Sequence, residues 1–521
     1  MRISLRVSSL IGVIVLSSLK LHAGTWYVDN LATGSRTGAS WANAWPNFAS
    51  IKWGTGGVTA GDTLYISGGL ISKTYKETLT VGASGTAGNV ITISTGQDLG
   101  HNGQVIIDGG SYARSYGIRI ASKSFIKITG KVGTSQNMRV TGFADGGVVF
   151  DGNMNNLEIA YLESDHNGNT SDRHGIDGVL QLQANYASSI HNCHIHDNYQ
   201  DAIHIVQNNN GAATQFGSFL IYSNLLDNYN DDGMELAIGA DIYDNEIGPR
   251  IASGGRGHPD GIQFYNSYVK IYNNYFHGAV ITSDPGNTNS NIFCDSLIDM
   301  SAVPSHIQIF NNLIVENATP GNGEVHRAIA MKFAEPGIAG ANDILILNNT
   351  IVGVPFFGLS LTFGSLGTGA ISNIVIENNI FKDVGATNPV AYTLERGNGT
   401  ITYGSHGSGA DVTVDYNNVY ASSAKYTTSV QWGDSSYTFA NYKTVSKSDT
   451  NGFVGNPMLS SLFGLLTGSP AIHAGVSQSA IFSIDKTGST RTGAWDIGAF
   501  SSSATSTTHP PSNATISVVT Y

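Results

Sequence analysis

The sequence predicts an all-β chain, a right-handed parallel β-helix, and three observations carry that prediction. The first is a repeated template: apolar, two variable, usually Asn, one variable, apolar. It is clearest between Ser189 and Gln263, as Ile190-His-Asn-Cys193-His-Ile195, Ile221-Tyr-Ser-Asn224-Leu-Leu226 and Ile242-Tyr-Asp-Asn245-Glu-Ile247, and just beyond as Ile271-Tyr-Asn-Asn274-Tyr-Phe276. It recurs around Asn312, Asn349 and Asn379, loosely upstream over Leu157–Leu162, and fades near Asn418. Copies about 20 to 40 residues apart have the period of a stacked repeat. The second observation is that the flanking segments are short, β-branched or aromatic and alternate at period two, as in Phe125-Ile-Lys-Ile-Thr129, so they read as strands. The third is composition: 63 glycines and only 12% charged residues suit many turns and stacked strands, and would break helices. A strand, a turn at the Asn and another strand, repeated as one coil, stack about 4.8 Å apart. The asparagines then form an internal ladder that satisfies the turn backbone.

The elements follow in order. Residues 1–23 carry Arg2 and Arg6, an apolar run from Leu10 to Leu16 and then Leu21-His-Ala23, the pattern of a secretory signal peptide. Export to the extracellular space or periplasm is expected, with no membrane span. Residues 24–76 hold Trp41, Trp45 and Trp53 and are expected to cover the first coil, with a carbohydrate-stacking platform as the alternative for the three tryptophans. Residues 77–455 form the coils, 456–500 a closing segment, and 501–521 a Ser/Thr/Pro-rich tail. Longer loops such as Thr319 to Val325 and Gly364 to Gly369 leave the coils downstream. A chain of 521 residues exceeds one ordinary globular core, but each coil of a solenoid buries its face on its neighbours.

The formal net charge of −12 makes neither a nucleic acid nor an anionic membrane an obvious partner, and a monomer is expected. Cys193 and Cys294 are too few for a disulfide framework and read as buried thiols, with a bridge as the alternative.

Chemistry is expected where acidic residues recur in neighbouring copies. Asp201, Asp232 and Asp260 fall at the same relative place after their turns, and Asp177 is expected to extend the row by one coil. Stacked carboxylates repel unless a proton, a cation or water intervenes, and a hard cation with oxygen ligands, Ca²⁺, is the natural guess. Asp-Gly is also a common turn pair, so each Asp has a plain structural reading. His166, His174, His191, His194, His196 and His204 crowd the same region; His194 and His196, alternating onto one strand face, are the best zinc-like pair.

The ends and the acidic row also resemble known proteins. Gly61-Asp-Thr-Leu-Tyr-Ile66 with Ser84 to Ile93 near the start, and Asn456-Pro-Met, Gly468-Ser-Pro-Ala-Ile472 and Asp496-Ile-Gly-Ala-Phe500 at the far end, resemble the secreted β-helix proteins of the pectate-lyase-like superfamily. Asp201 followed by Asp231-Asp232-Gly-Met-Glu235 resembles the calcium site of family-9 pectate lyases, which implies Asp201, Asp231, Asp232 and Glu235 as metal ligands. Those lyases take their base, a lysine, from a nearby coil; Gln263 stands at the corresponding place here, leaving Lys270, Arg327 and Lys332 as basic candidates. A second resemblance, to polygalacturonase-type hydrolases, rests on Asn198 to Asp201, Asp231-Asp232, Gly257-His258 and Arg327 to Lys332. It implies Asp232 as general acid in an inverting hydrolysis, with Asp201 and Asp231 activating water. The expected function is therefore a calcium-dependent lyase acting on a uronate-containing acidic polysaccharide. Its catalytic candidates are Asp232, His258, Asp260, Lys270, Arg327 and Lys332. The alternatives are the hydrolase and a non-enzymatic carbohydrate-binding or adhesive solenoid.

Overall fold

The computed structural model describes residues 23–169, 173–181, 185–208, 215–251, 259–280, 288–295, 304–316, 325–333, 340–363, 370–388, 390–395 and 401–502. The expected signal peptide up to residue 22, the loops from 319 and 364, His258 and most of the tail lie outside these ranges.

Each coil visits three sheets in turn. Among the described residues Phe219–Tyr222 belongs, in one coil, to a 14-stranded first sheet, Leu225–Asp227 to a 13-stranded second and Met234–Leu236 to a 13-stranded third. Pairing between successive coils is parallel, as a coiled strand order demands, and the template keeps its register: Ile190, Ile221, Ile242, Ile271, Ile309, Ile346 and Ile376 stand one above the next. All are essentially buried. At about 1.5–3 kcal/mol for each buried aliphatic side chain, such columns supply the main stabilising term.

The template's Asn turns at the first corner, between the first and second sheets. Asn224, Asn245, Asn274, Asn312, Asn349 and Asn379 form an unbroken ladder in which each backbone N–H donates to the side-chain oxygen of the next, at 3.0–3.1 Å. Cys193 opens the ladder by donating its N–H to Asn224 Oδ1. Two details of the expected register change. Upstream, Leu162 holds the ladder place, because Ile159 pairs with Ile190. Downstream, the ladder member is Asn417, which accepts from Asn379, while Asn418 turns its amide to the carbonyls of Phe453 and Gly455. Asp449 takes the following place and accepts from Asn417. The residue before each ladder position has left-handed backbone: Asn273, Asn311, Asn348 and Asn378 have φ of 57°, 54°, 51° and 60°. Asn tolerates that region better than most residues, which accounts for the Asn-Asn doublets.

At the N-terminal end Trp45 is buried and stacked on Trp26, with ring centroids 5.2 Å apart, and Trp53 packs against the core. Both therefore cover the first coil. Trp41 lies flat on His101 at 3.9 Å and donates to Asp98. The other end is covered by an antiparallel hairpin, Val430–Trp432 with Ser435–Tyr437, and the helix Phe439–Ser446, which buries Phe439 and Tyr442. Residues 456–502 do not extend the stack. They run out and back along the first corner, where the outward asparagines receive them: Asn378 donates to Val476 O, Asn311 to Ile484 O and Asn348 to Asp496 O. Lys486 reaches Asn273 O, and Phe482 and Trp495 pack on Phe310, Leu345 and Leu347. Cys193 and Cys294 are buried and unbridged.

Candidate active site

The acidic row lies at the corner that leads from the second sheet into the third. The third-sheet register stacks Ile176, Ile203, Met234, Ile262, Ile292 and Ile329, so the residues two before them form one column: His174, Asp201, Asp232, Asp260, Ser290 and Arg327. The three aspartates thus occupy one place in successive coils, as their spacing predicts. Asp177 does not extend the column. His174 holds that place, and Asp177 lies on the strand beside His204, because the row is counted from Ile176 and not from the Asp-Gly pair.

The column is itself a ladder. Asp201 Oδ1 accepts from the N–H of Asp232 at 2.9 Å, Asp232 Oδ1 from that of Asp260 at 2.6 Å, and Asp260 from that of Ser290. All three side chains are buried. One oxygen of each carboxylate therefore satisfies a corner amide, and that alone explains why an acceptor residue recurs there. The remaining charge is poorly compensated. Asp201 Oδ2 is 2.9 Å from His174 Nδ1, yet neither atom makes a well-aligned hydrogen bond. Burial, then the charges of Asp260, Asp201, Asp231 and Glu235, push the Asp232 carboxyl well above the usual carboxylate range.

One residue into each third-sheet strand, the outward column reads Asp177, His204, Glu235, Gln263 and Phe293. His204 Nδ1 is 2.9 Å from Asp177 Oδ1 and its Nε2 is 4.0 Å from Glu235 Oε2. Burial works against its proton, but Asp177 and Glu235 prevail and hold its pKa above the ordinary value. Its ring stacks on that of His174 at 4.2 Å. Tyr265 donates its hydroxyl to Glu235 Oε1 at 2.9 Å. Burial and the charge of Asp201 still leave Glu235 with a raised pKa.

These groups converge on one small volume. Single oxygens of Asp201, Asp232 and Glu235 all lie within 4.8 Å of one another. Two oxygens on opposite sides of a Ca²⁺ ion, at 2.3–2.6 Å each, are about 5 Å apart, so the three fit one coordination sphere. The donor set is all hard oxygen. Asp231 is outside this tight group, partly exposed, with Gln200 Nε2 3.2 Å from its Oδ2.

The basic candidates separate. Lys270 lies on Val269–Tyr272 of the first sheet, 3.6 Å from Asp241, so the fold does not bring it to the carboxylates. Its proximity in sequence to Gln263 misleads because the corner between them changes sheets. Arg327 stands in the aspartate column two coils beyond Asp260; its Nε has no hydrogen-bond partner, and burial lowers its pKa against the pull of Asp260 and Asp295. Lys332 is 3.4 Å from Asp295 on the same sheet. Gln263 is buried beside Glu235. His258 lies outside the described residues. Tyr265 and Asp295 went unnoticed in the sequence; counting by twos from Gln263 along its strand places Tyr265 on the same outer face.

No protein-family model matches the chain, and no curated protein matches it in sequence. Solved structures are similar to it at low sequence identity. A pectate lyase, Pel9A, is 16% identical over 92% of this chain and 96% of its own, with a TM-score of 0.44. XylC in complex with xylose is 10% identical over 91% and 98%, with a TM-score of 0.49. An alginate lyase from Paenibacillus sp. str. FPU-7 is 11% identical over 74% and 93%, with a TM-score of 0.33. The class that fold and site define is a parallel β-helix protein with a carboxylate-rich site at the border of its second and third sheets. Among the described residues no helix is long and apolar enough to cross a membrane.

Proposed function

We propose that the protein is an exported, calcium-dependent polysaccharide lyase that cleaves a uronate-containing polymer by β-elimination. The observation that carries this reading is the convergence of Asp201, Asp232 and Glu235 oxygens within one calcium-sized volume. A bound Ca²⁺ there would neutralise the substrate's carboxylate and so acidify the proton α to it. Asp201 and Asp232 are fixed for that task, since each spends one oxygen on a backbone N–H of the next coil. Tyr265 and His204 orient Glu235 from either side. The α-proton must pass to a base on the same face, and Arg327 and Lys332 are the basic candidates there, with Arg327 also suited to pair with the uronate carboxylate.

The hydrolase reading draws on the raised pKa of Asp232, which suits a general acid. An inverting pair needs its carboxyls about 6.5–9.5 Å apart to admit water; single oxygens of Asp201 and Asp232 lie within 4.8 Å, whereas Asp231 stands outside that group and is the carboxylate to activate water in this reading.

The test is incubation of the mature protein with pectate, alginate and related polyuronates, with and without chelator, following ultraviolet absorbance of unsaturated uronides. Chelator-sensitive absorbance that is lost in Asp201→Asn is the expected result. Reducing ends without absorbance would favour the hydrolase, and neither signal the binding solenoid.

A further inference from the structure

A second cluster lies on the outer face of the second sheet, apart from the carboxylates just described. Three neighbouring strands supply it: Glu163–Asp165, His194–His196 and Leu225–Asp227. Their register sets Glu163 beside His194, and Asp165, His196 and Asp227 in one outward row. His194 and His196 share a face because they are two apart on a strand. We propose that His194, His196 and Asp227 form a zinc-binding site that ties two adjacent coils together.

The geometry is compact. His194 Nε2 is 3.1 Å from Asp227 Oδ1. That is close to the edge of a tetrahedron built with metal bonds of about 2.0–2.1 Å, roughly 3.3 Å. One ligand atom from each of the three residues lies within 4.8 Å of the others. The two imidazole rings stack with centroids 4.0 Å apart. The side chains of His194, His196 and Asp227 are 34%, 16% and 26% exposed, enough for an ion to enter from solvent. Two imidazoles and one carboxylate are borderline donors that suit Zn²⁺, in contrast to the all-oxygen group at Asp201.

The surroundings favour a cation. Asp197 Oδ2 is 2.7 Å from His196 Nδ1 and Glu163 Oε1 is 3.4 Å from its Nε2, where Nε2 finds no aligned hydrogen bond. Asp165 is already held by Arg139 and His166 and is not needed as a ligand.

The test uses the mature chain without an affinity tag. Zn²⁺ is titrated in competition with a chromophoric chelator, and Co²⁺ is substituted to read tetrahedral ligand-field bands in the visible. One zinc per chain, intense Co²⁺ bands and a rise in Tm on adding zinc are expected. His194→Ala with His196→Ala should weaken zinc by at least about tenfold. Should that variant not fold, near-isosteric Asp227→Asn replaces it, with the same expected loss. Asp201→Asn should leave zinc binding intact, which separates this site from the one at the third sheet. The proposal is overturned if wild type takes up no zinc, if the variants bind as wild type, or if zinc is lost from His174→Ala with His204→Ala instead.

Discussion

Asp449 closes the asparagine ladder with a carboxylate, and replacing it by Asn should stabilise the protein at neutral pH but not in acid. The side chain is fully buried and accepts from Asn417 N, from Asn417 Nδ2 at 3.3 Å and from the Tyr392 hydroxyl at 2.9 Å. Burial outweighs those hydrogen bonds and raises its pKa from 3.8 to about 7. The folded state therefore holds the proton more tightly than the unfolded chain. Stability from this group is fully present below pH 3.8 and is lost as pH rises towards 7. Three decades of proton affinity correspond to about 4 kcal/mol, an upper bound because water and backbone can relax around the charge. An Asn keeps the acceptor for Asn417 and can donate to Tyr392 Oη, whose hydroxyl serves equally as acceptor. Urea unfolding of Asp449→Asn and wild type at pH 4 and pH 8 checks this. The variant should gain more than about 1 kcal/mol at pH 8 and little at pH 4. A change of the same size at both pH values would refute the reasoning, whatever its sign.

Two other substitutions probe the fold and the site. Asn312→Ala removes bonds to Ile271 O and Asn349 Oδ1 and the acceptor for both Asn274 N and Nδ2, leaving buried groups unpaired. It should cost about 3–5 kcal/mol, read as a lower midpoint in urea. On the first sheet, Lys270→Ala loses a 3.6 Å pairing with Asp241 and a cation over the ring of Phe216, which precedes the strand Phe219–Tyr222. Turnover of polyuronate should stay within about twofold and stability within about 1 kcal/mol.

The coil architecture was legible because a solenoid writes its structure into local sequence: one position, one place in every coil. The Asn ladder and the common place of Asp201, Asp232 and Asp260 follow from that rule. The rule misplaces a residue where the landmark is ambiguous. Asp177-Gly resembles the other Asp-Gly pairs, yet the inward column runs through Ile176 and gives the place to His174. Asn417 and Asn418 are chemically identical, and only the left-handed backbone at Tyr416, φ 56°, fixes which one faces the ladder. Lys270 follows Gln263 closely, but a sheet change separates them. Tyr265 carries no motif, and its place near the carboxylates depends on pairing across coils that differ in length.

The out-and-back segment of residues 456–502 changes how such a stack can come apart. In a plain solenoid the terminal turn can fray without disturbing turns farther in. Here the corners at Asn273, Asn311 and Asn348 are sewn to one another by a thread that starts beyond the last turn. Peeling must first unpick that seam, including Phe482 and Trp495 from their seat on Phe310. The rear half of the molecule is thereby made to melt as a single block, and a cut in the seam would restore turn-by-turn unravelling.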